Sequence, residues 1–164
     1  AKAAADRPFP RYDGARYDVS QSVGHQIVNL MNQMRREVEQ RMAAHGLTDA
    51  QWRPLWLLAS GRAGSALEMA RLLDLDAGAV TRLVDRLEAK GLLERTRSES
   101  DRRVVHLRLT AAGQDAAAQV PHVLASVNND FLRGFTRGEW EQLRALIGRM
   151  ADNGAALQAD RSAA

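Results

Sequence analysis

With 164 residues, 45% of them hydrophobic, the chain is long enough for one domain, or one domain with a small oligomerisation module. It has no cysteine, which excludes disulfides, thiolate metal ligands and a thiol redox switch. Its 23 basic and 20 acidic residues leave a net charge of +3, and all of that excess falls between Arg82 and Arg108, where eight basic residues face five acidic ones. No hydrophobic run approaches the roughly 18 residues that span a bilayer, and no signal-peptide pattern opens the chain, so a soluble, cytoplasmic protein without a membrane partner is expected. The four histidines (His25, His45, His106, His122) stand far apart, and neither a metal site nor a cofactor is expected. Without a nucleophile elbow, a phosphate-cradling glycine loop or an isolated carboxylate pair, the chain does not read as an enzyme.

Residues 1–19, with Pro8, Pro10 and two tyrosines, read as an extended arm. From Ser20 to Ala44, the residues Val23, Ile27, Leu30, Met31, Met34, Val38 and Met42 form one apolar stripe, which predicts a long amphipathic helix ended by Gly46. Thr48 and Gln51 make a capping box that opens a second helix, carrying Trp52, Leu55, Trp56 and Ala59 on one face. Pro54 lies inside it, so a kink or a late start is expected. Residues 61–64, GRAG, make a turn, and Ser65 with Glu68 forms another capping box for a short helix through Met69, Leu72 and Leu73.

A tight turn at 73–75 leads to Asp76, an N-cap for a helix whose Val80, Leu83, Val84 and Leu87 repeat at the spacing of a half-buried face. Gly91 stops it. The period then changes to 2, with Val105, Leu107 and Leu109 on one side of a strand and Val104, His106 and Arg108 on the other. The segment SESD at 98–101 supplies the turn of a hairpin. Short helix, tight turn, second helix and basic hairpin is the order of a winged helix-turn-helix.

Beyond the hairpin, Thr110 caps an alanine-rich helix that Pro121 is expected to bend or break. Thr136 and Glu139 launch a final helix in which Trp140, Leu143, Ile147, Met150, Gly154 and Leu157 recur at heptad spacing. The fold class is therefore mainly α with a small β-hairpin wing, built from a winged helix-turn-helix plus a helical dimerisation module. Its parts are an arm (1–19), the dimerisation module (20–46 and 111–158), the DNA-binding domain (47–110) and a tail (159–164).

A localised basic element is the footprint of a nucleic-acid binder, because neutralising phosphates releases counterions. Charge alone leaves open a winged-helix protein-interaction module that does not bind DNA. Taking the apolar positions of the helix capped by Asp76 as inward puts Gly78, Arg82, Asp85 and Ala89 outward, with Thr81 and Arg86 on the flanks. Ala77, Gly78 and Ala79 are small enough to let the helix N-terminus approach a major groove. Arg82 suits a bidentate contact to guanine or a phosphate, Thr81 a thymine methyl or a phosphate, and Arg86 a phosphate clamp, with Asp85 placed to orient either arginine. Ser65 and Arg95 complete the DNA-facing candidates on the frame around this helix. At the hairpin tip, Arg102 and Arg103 suit a narrow minor groove.

The stretch LDAGAVTRLVDRLEAKGLLERTRSESDRRVVHLRLTAAG resembles the core signature of the MarR family of bacterial transcriptional regulators, over about residues 47 to 120. The resemblance implies an obligate homodimer that binds double-stranded DNA at a palindromic operator, usually as a repressor released by a small-molecule effector, and hence a nucleoid-associated protein. It also implies that Asp101 pairs with Arg103 to stiffen the wing. It places an effector where the dimerisation helices meet the winged lobe, near His25, Met31, Met34, Trp52, Arg53 and Trp56. One arginine among tryptophans suggests a small aromatic acid. The plain alternative is that Trp52, Trp56, Met31 and Met34 are core and His25, on the opposite face, meets solvent.

Overall fold

In the computed structural model, which describes residues 12–97 and 105–163, six helices and one two-stranded sheet follow in chain order. They are α1 (Val23–Ala44), α2 (Asp49–Ala59), α3 (Ala66–Leu73), α4 (Ala77–Ala89), β1 (Leu93–Arg97), β2 (Val105–Leu109), α5 (Ala111–Phe131) and α6 (Arg137–Ala163). The mainly helical fold with a small hairpin matches the class expected from the sequence.

Two adjoining cores organise these elements. Leu57, Ala63, Met69, Val80, Leu83, Val84, Leu87, Leu93 and Leu107 close the space between α2, α3, α4 and the hairpin. Met42, Leu47, Leu55, Ala117, Val120 and Val123 close the space between α1, α2 and α5. Helix α2 serves both, sending Leu57 to one and Leu55 to the other, and Leu92 and Leu109 pack against each. Every fully buried aliphatic side chain contributes roughly 1.5–3 kcal/mol relative to exposure, so α2 is the member through which the two halves of the chain stabilise one another.

Three capping devices read from the sequence are present. Gln51 Oε1 accepts from the Thr48 backbone N–H at 3.0 Å. Ser65 Oγ accepts from Glu68 N at 3.3 Å. Glu139 Oε2 accepts from both Thr136 N and Thr136 Oγ1 at 2.8 Å, and these donors hold its carboxyl below the ordinary value.

The prolines behave differently from expectation. Helix α2 starts on time at Asp49 and runs through Pro54, which is fully buried. Burial of the ring in the core offsets the missing hydrogen bond, whose acceptor would be the carbonyl of Ala50, an exposed residue that solvent can reach. Helix α5 likewise continues past Pro121 without a break. At the N-terminus, residues 12–22, which include the described part of the expected extended arm, make two 3-10 turns capped by Asp13 and Asp18, and Tyr17 donates to Ser22, the N-cap of α1, at 2.7 Å. The first long helix thus begins at Val23, three residues later than Ser20. At the other end α6 remains helical through 159–163, where a tail was expected.

The wing joins the rest through backbone pairing. Leu93 opposes Leu109 and Arg95 opposes Leu107 in an antiparallel ladder, and Leu107 N donates to the Gly64 carbonyl at 2.9 Å. On the far side Thr110 Oγ1 donates to the Gly91 carbonyl at 2.6 Å and its N–H to the Leu92 carbonyl at 3.2 Å. The segment between α3 and α5 is thereby closed on itself.

Candidate nucleic-acid interface

Helices α3 and α4 are joined by Asp74, Leu75 and Asp76. Asp74 adopts the left-handed conformation (φ 54°), an uncommon state that aspartate tolerates better than most residues, and Leu75 N closes the turn onto the Ala70 carbonyl at 3.0 Å. Asp76 Oδ1 then accepts from Ala79 N at 2.7 Å, which satisfies one of the free donors of the first turn of α4.

Helix α4 divides as its sequence period requires. Val80, Leu83, Val84 and Leu87 are all buried, whereas Ala77, Gly78, Thr81, Arg82, Asp85, Arg86 and Ala89 are exposed. Ala79 is half-buried at the edge. A β-carbon at Gly78 would stand 3.1 Å from Asp76 Oδ1 and 3.4 Å from Arg82 Nη1, so the Arg82 guanidinium lies back over the N-terminal turn. That keeps a forked donor beside the free backbone N–H groups of the helix start, where anions are favoured. Thr81 Oγ1 donates to the Ala77 carbonyl at 2.8 Å, which spends its proton inside the helix and leaves its methyl group and oxygen lone pairs outward.

Ser65 is half-buried. It caps α3, its hydroxyl donates to Glu68 Oε2 at 3.0 Å, and its backbone bridges to His106 of the wing. The Gly64 N–H and the Ser65 hydroxyl together hold the Glu68 carboxyl below its ordinary value.

Arg95 reaches from β1 to α4. Its Nη2 donates to Asp85 Oδ1 at 2.5 Å, its Nη1 to Glu88 Oε2, and its backbone N–H to Glu88 Oε1 at 3.3 Å. The hydrogen bond to Asp85 is the largest influence that raises the Arg95 pKa above its already high ordinary value. Asp85 therefore pairs with the wing strand, rather than orienting Arg82 or Arg86 as the helix alone suggested. Sequence reading missed this because the partners lie seven and ten residues apart in different elements. The wing-tip candidates Asp101, Arg102 and Arg103, and the SESD turn, lie outside the described residues.

Residues 47–105 match the family model described as MarR family. The chain carries this MarR-like region over 59 of its 164 residues. It is similar to a mutant of E. coli MarR complexed with operator DNA, at 25% identity and a TM-score of 0.68, over 78% of this chain and 92% of that one. It is also similar to the transcriptional regulator PA3341, at 29% identity and 0.71, over 82% and 99%. The S. aureus MepR–DNA complex, at 19% identity and 0.70, over 80% and 98%, shares the fold. The matched region spans α2, α3, α4 and the start of the hairpin, the part of this chain that has winged helix-turn-helix order. No helix among the described residues is long and apolar enough to cross a membrane.

The six ligand candidates do not converge on one place. Met31, Trp52 and Arg53 line a hollow of about 290 Å³ together with Asn32, Arg35 and Asp49. Trp52 Nε1 donates to Asp49 Oδ1 at 3.0 Å, and the Arg53 guanidinium lies 5.8 Å from the Trp52 ring centroid. Arg53 also borders a second hollow of about 390 Å³, whose other walls include Pro54, Leu75, Ala79, Leu83 and Arg86. Met34 lines an apolar hollow between α1, α5 and α6, and Trp56 faces a cleft against β2 and α5. His25 is exposed and pairs with Asn29 at 2.9 Å.

Proposed function

We propose that the chain is a homodimeric repressor that sets α4 in the major groove of a palindromic operator and its wing in the adjacent minor groove. The observation that carries this reading is the exposed face of α4. Small residues at its start (Ala77, Gly78), a forked cation over the N-terminal turn (Arg82), and on its two flanks a second cation (Arg86) and a methyl group (Thr81) are all exposed, backed by four buried aliphatics. Arg82 reads a base edge or clamps a phosphate, Arg86 clamps phosphate, and Arg102 and Arg103 belong to the minor groove.

The dimer is supported by α6. Its Trp140, Ile147, Met150 and Leu157 are exposed in the single chain, as are Val23, Leu30 and Met31 of α1. Apolar faces of that extent on two long helices mark an interface, and a second copy covers them while placing two α4 helices one helical turn of DNA apart.

The effector is a small aromatic acid held at Arg53. Trp52 offers a ring face beside that guanidinium, and the hollow on the other side of Arg53 shares Arg86 with the recognition helix. An acid bound there would compete with DNA for a phosphate clamp. Thermal-shift titration with benzoate- and pyridine-type acids tests the effector, and a flat response throughout contradicts it.

Pull-down of genomic fragments with the purified protein tests the whole reading. An inverted repeat of about 16 to 20 base pairs, with half-sites one helical turn apart, is expected among them. Recovery of unrelated fragments without a shared repeat contradicts sequence-specific binding.

A further inference from the structure

Two carboxylates on the recognition helix require explanation. Asp85 lies on the outward face, one turn beyond Arg82, and Glu88 stands on the adjoining flank, half-buried. A helix entering a groove lined by phosphates is repelled by uncompensated negative charge at these positions. Both side chains are held by one residue of the wing, Arg95, whose guanidinium donates to each while its backbone N–H adds a third bond to Glu88. Arg95 has 31% of its side chain exposed, against 57% for Asp85 and 40% for Glu88, so it is the most enclosed member of the group.

We infer that Arg95 is a positioning residue, which promotes DNA binding through Asp85 and Glu88 and not by contact with DNA. A guanidinium has five donors in a planar fork. Here Nη1 serves Glu88 and Nη2 serves Asp85, whereas lysine has only one nitrogen to place between the two carboxylates. The group does two things at once. It neutralises charge on the face that meets the groove, and it ties β1, the base of the wing, to the helix that the wing must flank. Asp85 and Glu88 are in turn anchors for the wing and not readers of bases. The inference rests on the proposed DNA-binding function and refines which of its basic residues touch the nucleic acid.

The test compares one substitution in two backgrounds, using fluorescence anisotropy with the inverted-repeat duplex recovered by genomic pull-down. Binding by the native protein in the same assay establishes the parent reading independently of Arg95. In the native background, Arg95→Ala is expected to weaken binding about 10- to 100-fold, because it bares two carboxylates and frees the wing. In an Asp85→Ala/Glu88→Ala background, the same substitution is expected to change affinity less than about threefold, since the groups it acts through are gone. A direct phosphate contact predicts the opposite: a similar loss in both backgrounds, with the salt slope reduced by about one per protomer in each. Equal losses overturn the inference, as does an Arg95→Ala variant that binds as tightly as the native protein. Each variant is checked by circular dichroism, and any that fails to fold is replaced by Arg95→Gln or by Asp85→Asn/Glu88→Gln, which preserve size. Arg95→Lys in the native background is expected to recover only part of the loss.

Discussion

Gly113, in the first turn of α5, lies directly beneath the backbone carbonyl of Leu92, so that a β-carbon on Gly113 would overlap the Leu92 oxygen and press Leu109 Cδ2 at 3.3 Å. The contact is the point where the wing-bearing lobe meets the helix that leads away from it. Gly113 N donates to Thr110 Oγ1 at 3.1 Å, and Thr110 holds the carbonyls of Gly91 and Leu92. The glycine is needed for close approach, and the overlapping atom is backbone that no side-chain rotation can move. Gly113→Ala is expected to destabilise by about 3 kcal/mol, at the upper end of overpacking costs. Chemical denaturation at fixed protein concentration measures it, and a midpoint unchanged from the native protein's would refute the packing account.

Exposed apolar residues on α6 predict association. Ile147, 52% exposed in the single chain, sits mid-way along that helix. Ile147→Glu places a charge on the face assigned to a second copy and is expected to shift sedimentation toward the monomer at micromolar concentration, with operator affinity falling along with it. A native protein that already sediments as a monomer contradicts the assigned interface.

Arg41 of α1 donates to Asp130 of α5 at 2.8 Å and to Ser126 Oγ at 2.7 Å. Arg41 holds the Asp130 carboxyl below its ordinary value of 3.8, with Arg133 adding to the effect. A carboxyl lowered in the folded state contributes stability that is complete above its unfolded pKa and is lost as pH falls through the folded one. The difference in melting temperature between the native protein and Asp130→Asn is therefore expected to be constant from about pH 7 to pH 5 and to shrink below about pH 4. A difference that grows in acid has the wrong sign for this pairing.

Arg82→Ala is expected to cost roughly 1–3 kcal/mol of operator affinity and to relax preference at one position in each half-site. Arg103→Ala, by resemblance the minor-groove arginine, is expected to cost a similar roughly 1–3 kcal/mol at fixed salt. Competition binding against singly substituted operators separates the two roles. If Arg82→Ala weakens all of these sequences equally, Arg82 is a phosphate contact and not a reader.

What could be read from the chain was whatever depends on near neighbours. The N-cap Asp76, the inward set Val80, Leu83, Val84 and Leu87, and the stop at Gly91 with its φ of 68° follow from helical period and backbone conformation within about fifteen residues. Pro54 misled for a non-local reason: its ring is fully buried in the folded chain, which compensates for a lost hydrogen bond, and sequence does not show that burial. The Arg95 link to Asp85 and Glu88, and the approach of Gly113 to Leu92, depend on how the wing folds back, so they too were invisible. The ligand candidates share suitable chemistry and neighbouring helices, which does not make them share a cavity. Trp52 and Trp56 stand one turn apart on α2, yet they border hollows on different sides of it, one against α1 and the other against β2 and α5.

The most direct measurement is the dissociation constant for the recovered inverted repeat and for a scrambled duplex of equal length, each across a series of salt concentrations. Reading by the exposed face of α4 predicts a preference of about 10³ or more for the repeat at physiological salt, with affinity for both duplexes falling as salt rises. Equal affinity for the two duplexes, or binding that ignores salt, would contradict it.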